Sequence, residues 1–118
     1  MISDFHKLEI WKRSRELVVG RYKITNSFPS DEKFGLISQM RRAAVCVPSN
    51  IAEGAGRRYV KEYQQFLQIA IGSLCELETQ IYLAQDLGFI AIINSRDALN
   101  ECIAIRKMIR SFSNSVKA

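Results

Sequence analysis

Residues 60–87 read VKEYQQFLQIAIGSLCELETQIYLAQDL, and Tyr63, Phe66, Ala70, Leu74, Leu77, Ile81 and Ala84 recur along them at steps of three or four. That spacing gathers the apolar side chains on one stripe of an α-helix and would scatter them over both faces of a strand. No proline interrupts the run and Gly88 follows it, so the spacing predicts one helix over 60–87. Upstream, Ile37, Met40, Ala44, Val47, Ile51 and Ala55 form a second stripe, and Gln39, Arg42, Cys46, Asn50, Glu53 and Arg57 form a polar seam opposite it. This predicts a helix over about 30–55, capped by Ser30 with Asp31 and Glu32 in its first turn, and kinked at Pro48. Gly54-Ala55-Gly56 reads as its end, with glycine free to take the left-handed conformation that closes a helix.

The flanks repeat the pattern. Leu8, Trp11, Val18 and Tyr22 mark a first helix over about 5–26, with Asp4 as its cap and Phe28-Pro29 as its break. Ala98, Cys102, Ile105, Ile109 and Phe112 alternate at four and three over about 95–112, after Asn94 as cap and before a tail, 113–118, expected to fray. Four amphipathic helices on short connections predict a single all-α domain spanning 1–118, an up-down-up-down four-helix bundle. Leu67, Ile69, Ile71, Leu99 and Ile103 lie beside the main stripes. They are either a second buried surface, hence self-association, or the width of one broad core.

Composition agrees. The chain has 118 residues, 47% of them hydrophobic and 25% charged, with 6 Gly and 2 Pro. That is one globular core, too apolar for disorder and too poor in turn residues for a sandwich or barrel. No apolar run nears the roughly 20 residues of a membrane span. The opening Met1–Lys7 lacks the apolar stretch of a signal peptide, so a cytoplasmic location is expected. The formal charge of +5 is uneven: residues 1–61 hold 12 Lys/Arg against 6 Asp/Glu, and residues 62–118 hold 5 against 6.

Few catalytic constellations are available. Cys46, Cys75 and Cys102 form no Cys-x-x-Cys pair and read as reduced, half-buried small apolar residues, and His6 is the single histidine. A zinc site, a Glu-x-x-His di-iron pair and a glycine-rich phosphate loop are all missing. Glu76 and Glu78 point about 200° apart on a helix, so they make no acid–base dyad. Neither an enzyme nor a cofactor is expected.

What remains is charge. Arg41, Arg42, Arg57, Arg58 and Lys61 are the first candidates for phosphate contact, with Tyr59 among them able to stack on an unpaired base. Arg13, Arg15, Arg21 and Lys23 line what reads as the outer face of the first helix. Against this, Glu53 and Arg57 stand four apart and can pair on the helix surface, and the whole 39–57 polar stripe can serve as a seam between subunits.

The string from Phe28 to Arg57 resembles the family of four-helix bundle proteins encoded in the intervening sequences of bacterial 23S ribosomal RNA genes. Phe34-Gly35-Leu36, Gln39, Arg41-Arg42-Ala43-Ala44, Pro48, Asn50-Ile51-Ala52-Glu53-Gly54 and Gly56-Arg57 carry the likeness. Glu62, Phe66-Leu67, Ala70, Gly72-Ser73, Glu76-Leu77-Glu78 and upstream Leu8 and Trp11 extend it over about 4–90. The resemblance implies a bundle that assembles into rings of five. It is similar to the accessory protein of diversity-generating retroelements, a basic pentamer that partners a reverse transcriptase and binds nucleic acid. The family itself has no settled biochemical activity. Where it opens the third helix with a small hydroxyl cap, this chain has Tyr59-Val60, which blurs that start by a few residues. Two functions follow as expectations: a non-catalytic nucleic-acid-binding oligomer, or an oligomeric scaffold for a protein partner such as a polymerase.

Overall fold

The structure, a computed structural model, describes residues 4–117; Met1–Ser3 of the opening stretch and Ala118 of the tail lie outside it. Four helices make up the molecule: α1 (Glu9–Thr25), α2 (Leu36–Ala55), α3 (Val60–Asp86) and α4 (Ile92–Ser115). Two 3-10 turns, Phe5–Lys7 and Ser30–Glu32, precede α1 and α2. α1 packs against α2 and α4, and α3 against the same two, so successive helices run antiparallel around an all-α bundle. The body measures 47 × 24 × 20 Å, the elongated shape that helices of this length impose.

α3 follows its sequence pattern closely. Tyr63, Ala70, Leu74, Leu77, Ile81 and Ala84 are buried, Phe66 is half-buried, and Gly88 takes φ 77° just beyond the end. Leu67 and Ile71 are buried in the same core, which makes them part of one broad core and not of a second surface; Ile69 stays exposed. A broad apolar face is what a helix needs when it lies between two neighbours.

α1 departs from expectation. Its buried residues are Ile10, Ser14, Leu17, Arg21 and Thr25, whereas Leu8, Trp11 and Val18 are only half-buried and Tyr22 is exposed. Burial of Ser14 and Thr25 is possible because their hydroxyls donate to the carbonyls of Trp11 (2.9 Å) and Arg21 (2.8 Å) within the helix. Asp4 caps the Phe5–Lys7 turn instead of α1, its Oδ1 accepting the His6 amide at 3.1 Å.

α2 begins at Leu36, six residues after Ser30, because Ser30–Glu32 closes a separate 3-10 turn. The Glu32 carboxylate reaches forward to accept the Leu36 amide at 3.0 Å and caps α2 from outside it. α2 stays continuous through Pro48. Its end corrects the glycine reading: Gly56 has φ −83°, and Gly88 alone among the described residues has positive φ. Gly54 serves contact instead. A Cβ there would sit 2.8 Å from Phe66 Cβ and 3.1 Å from Tyr63 Cδ1, so the missing side chain lets α2 and α3 close on each other.

α4 starts two residues before Asn94, with Ala91 at the cap position, so Asn94 lies inside the helix. It continues to Ser115, beyond the expected end, and Val116 is buried after it, which corrects the frayed tail over the described residues. At one end of the bundle the Phe28 and Phe89 rings, 5.6 Å apart, tie the α1–α2 connection to the α3–α4 connection. At the other end Tyr63 meets Phe112 at 5.9 Å and Gln64 donates to the Ser113 carbonyl at 3.1 Å.

Candidate nucleic-acid interface

Burial separates the candidate cations into two groups. Arg21 is 2% exposed, so it belongs to the bundle interior and not to the outer face of α1. Its Nη2 donates to the Glu101 carboxylate at 2.9 Å and to the Ala98 carbonyl at 3.0 Å, tying α1 to α4. A guanidinium enclosed this way holds the fold and is closed to phosphate.

Arg57 is committed in part. It pairs with Glu53 at 2.8 Å, and its guanidinium lies 4.6 Å from the Phe66 ring centre. Beside it, Arg58 and Lys61 are exposed and make no hydrogen bond or ion pair among the described residues, as do Arg42 and Lys23. Arg13 is half-buried and likewise unpaired, and Arg15 lies 4.9 Å from the Trp11 ring centre. Arg41 is held by neutral acceptors only: Nε donates to Thr25 Oγ1 at 2.8 Å and Nη2 to Asn26 Oδ1 at 3.0 Å, over the Tyr22 ring at 4.5 Å. Tyr59 is exposed next to Arg58.

The polar stripe of α2 stays on the surface. Gln39, Arg42 and Cys46 line a groove of about 440 Å³ closed on the far side by Glu76 of α3. Asn50 donates to its own helix, at the Cys46 carbonyl, 2.7 Å away. Pro48 is half-buried, and Gly56 is exposed with only ordinary contacts around it. Cys75 is exposed, which corrects the half-buried expectation; Cys102 is buried, and burial pushes its thiol pKa up against the pull of Arg21.

Folding regroups the charge by position along the bundle. Residues 4–17, 46–73 and 104–117 fall in the half that holds both chain ends and the α2–α3 connection, and they carry eleven Lys/Arg against five Asp/Glu. The opposite half, residues 18–45 and 74–103, carries six against seven. The separation follows from topology, since α1 and α3 start where α2 and α4 end.

This grouping adds cations that the linear reading passed over. Arg106, Lys107 and Arg110 line a groove of about 380 Å³ on α4 with Ser111 and Asn114. Arg106 is held by Glu78 at 2.8 Å, a bond that raises its pKa, while Lys107 and Arg110 are exposed and unpaired. Their basic signal is hidden in a sum over 62–118, because five of the six acids of that stretch fall within 76–101, in the opposite half. At the chain start, hydrogen bonds from His6 hold the Asp4 carboxyl below its usual range.

Among the described residues no group of three His, Cys, Asp or Glu side chains could hold a metal ion. Among the described residues no helix is long and apolar enough to cross a membrane.

No curated protein matches the chain. A solved structure of a protein of unknown function from the S23 ribosomal protein family of Bacteroides thetaiotaomicron superposes on it with a TM-score of 0.80. That likeness covers 90% of this chain and 99% of the other at 20% identity, and it shows a common fold. The family model described as 23S rRNA-intervening sequence protein matches residues 6–111, so it takes in α4 as well as the first three helices. The chain belongs to the 23S rRNA-intervening sequence protein family.

Proposed function

We propose that this protein is a non-catalytic, self-assembling bundle that binds nucleic acid through its cation-rich half. The observation that carries the reading is the separation of charge: eleven cations against five anions in one half, six against seven in the other. Unpaired Arg58, Lys61, Lys107 and Arg110 supply phosphate contacts that need no salt bridge broken first. Assembly as a ring of five, the form implied by the family resemblance, multiplies that field. Three free cysteines, one of them exposed, suit the reducing cytoplasm.

A second reading has its own support. At the less basic end Phe34, Leu83, Leu87, Ile92 and Ile93 are exposed. Such a tip suits contact with another subunit or with a protein partner, a polymerase-type protein included.

Salt separates the readings. The affinity of a labelled structured RNA should fall linearly with log salt, and Arg58→Ala with Lys61→Ala should flatten that slope by up to about 2. No binding at about 50 mM salt would defeat the nucleic-acid reading. Sedimentation equilibrium should give five times the 13.5 kDa chain mass, and a 13.5 kDa particle would defeat the ring.

A further inference from the structure

The cleft between the end of α1 and the start of α2 is built differently from the rest of the surface. It measures about 520 Å³, and Lys33, Arg41 and Arg42 line it together with Tyr22 and Phe34. None of the described residues that line it carries a carboxylate. The nearest acid along the chain, Glu32, has its carboxylate turned to the Leu36 amide.

Two features are costly unless something uses them. Phe34 is 90% exposed, and the Lys33 ammonium lies 5.6 Å from its ring centre. An aromatic side chain left in water forgoes the burial that stabilises most of its kind. Arg41 is the second. Thr25, itself buried, and Asn26 fix the guanidinium without neutralising it, and its Nη1 donates to nothing among the described residues. A cation oriented by neutral acceptors, with one amino group left over, is prepared for an anion.

We infer that this cleft takes an unpaired nucleotide of a single-stranded nucleic acid, its base stacked on Phe34 and its phosphate held by Arg41, Arg42 and Lys33. An exposed ring offers a face to any base, and cations without carboxylate partners match the backbone charge. A paired base inside a duplex cannot reach the ring. The cleft lies in the half whose charges nearly balance, so it adds a local single-strand contact to the broad electrostatic contact made elsewhere. The inference rests on the nucleic-acid reading above.

The test compares a short labelled oligo(dT) with a blunt duplex of equal length by fluorescence anisotropy. Phe34→Ala should weaken the single strand about tenfold and leave the duplex unchanged, while Phe34→Tyr keeps most of the single-strand affinity. Arg58→Ala with Lys61→Ala should weaken both. Equal effects of Phe34→Ala on the two probes, or no effect on either, overturn the cleft. So does full single-strand affinity in Phe34→Leu, which keeps apolar cover without a ring, or a fall in sedimenting mass in Phe34→Ala, which makes Phe34 a contact between copies. Wild-type protein that binds neither probe fails the nucleic-acid reading itself. Binding of both probes with a single-strand affinity indifferent to Phe34 fails the cleft alone. An exposed side chain is a small risk to folding, and an unchanged thermal transition in each variant checks it.

Discussion

Gly54 and Gly20 show how one residue type does opposite things. A methyl group at Gly54 would press on Phe66 Cβ at 2.8 Å and on the Tyr63 carbonyl at 3.2 Å, whereas at Gly20 it would meet nothing within 4 Å. Gly54→Ala should therefore destabilise by about 1–3 kcal/mol through overpacking between α2 and α3. Gly20→Ala should stabilise by about 0.5–1 kcal/mol, because only the helix backbone responds. Denaturant melts of the two variants check both signs. Arg21 is the other decisive residue. Glu101→Ala would leave a buried guanidinium short of its counterion, costing about 1–3 kcal/mol, less than a fully enclosed pair because Glu101 is 32% exposed. Arg21→Met removes the charge and keeps volume, so it should be neutral or stabilising by the same melts. Reading Arg21 as a surface cation was natural, since its neighbours Lys12, Arg13, Arg15 and Lys23 are cations and an arginine is rarely enclosed. Its partner Glu101 lies 80 residues away, beyond the reach of any local pattern.

At the scale of elements, the helices were legible where apolar residues alone make the stripe. The buried face of α2 and the Ala98–Ile109 seam of α4 meet that condition, and α3 meets it except at Gln80, which is buried among the apolar residues. α1 fails it because Ser14, Arg21 and Thr25 occupy inward positions, so the apolar residues traced a stripe rotated away from the real one. Helix starts were less legible still. Ser30 and Asn94 are chemically good caps, yet α2 and α4 start at Leu36 and Ile92: Ser30 opens a separate 3-10 turn, and Asn94 falls inside its helix. Glu32 is the working cap of α2, bound to the Leu36 amide. Glu32→Ala should cost about 1 kcal/mol, read as a lower melting temperature, with Glu32→Gln recovering part of it as a neutral acceptor.

For the whole molecule, the candidate site was half legible. Arg58 and Lys61 stand in a visibly basic segment, and the structure leaves both exposed and unpaired. Lys107 and Arg110 were hidden, since only the antiparallel return of α4 carries them to the same half of the bundle as the α2–α3 connection. That half is the proposed nucleic-acid contact, and the seven lysines sample both halves. Lys7, Lys12, Lys61, Lys107 and Lys117 lie in the cation-rich half, and Lys23 and Lys33 in the other. Lysine acetylation under limiting reagent, with and without a blunt RNA duplex, therefore carries its own controls. Protection of Lys61 and Lys107, with Lys23 and Lys33 modified as fast as in the free protein, is the expected pattern. Protection strongest at Lys23 and Lys33, or none anywhere, would contradict it.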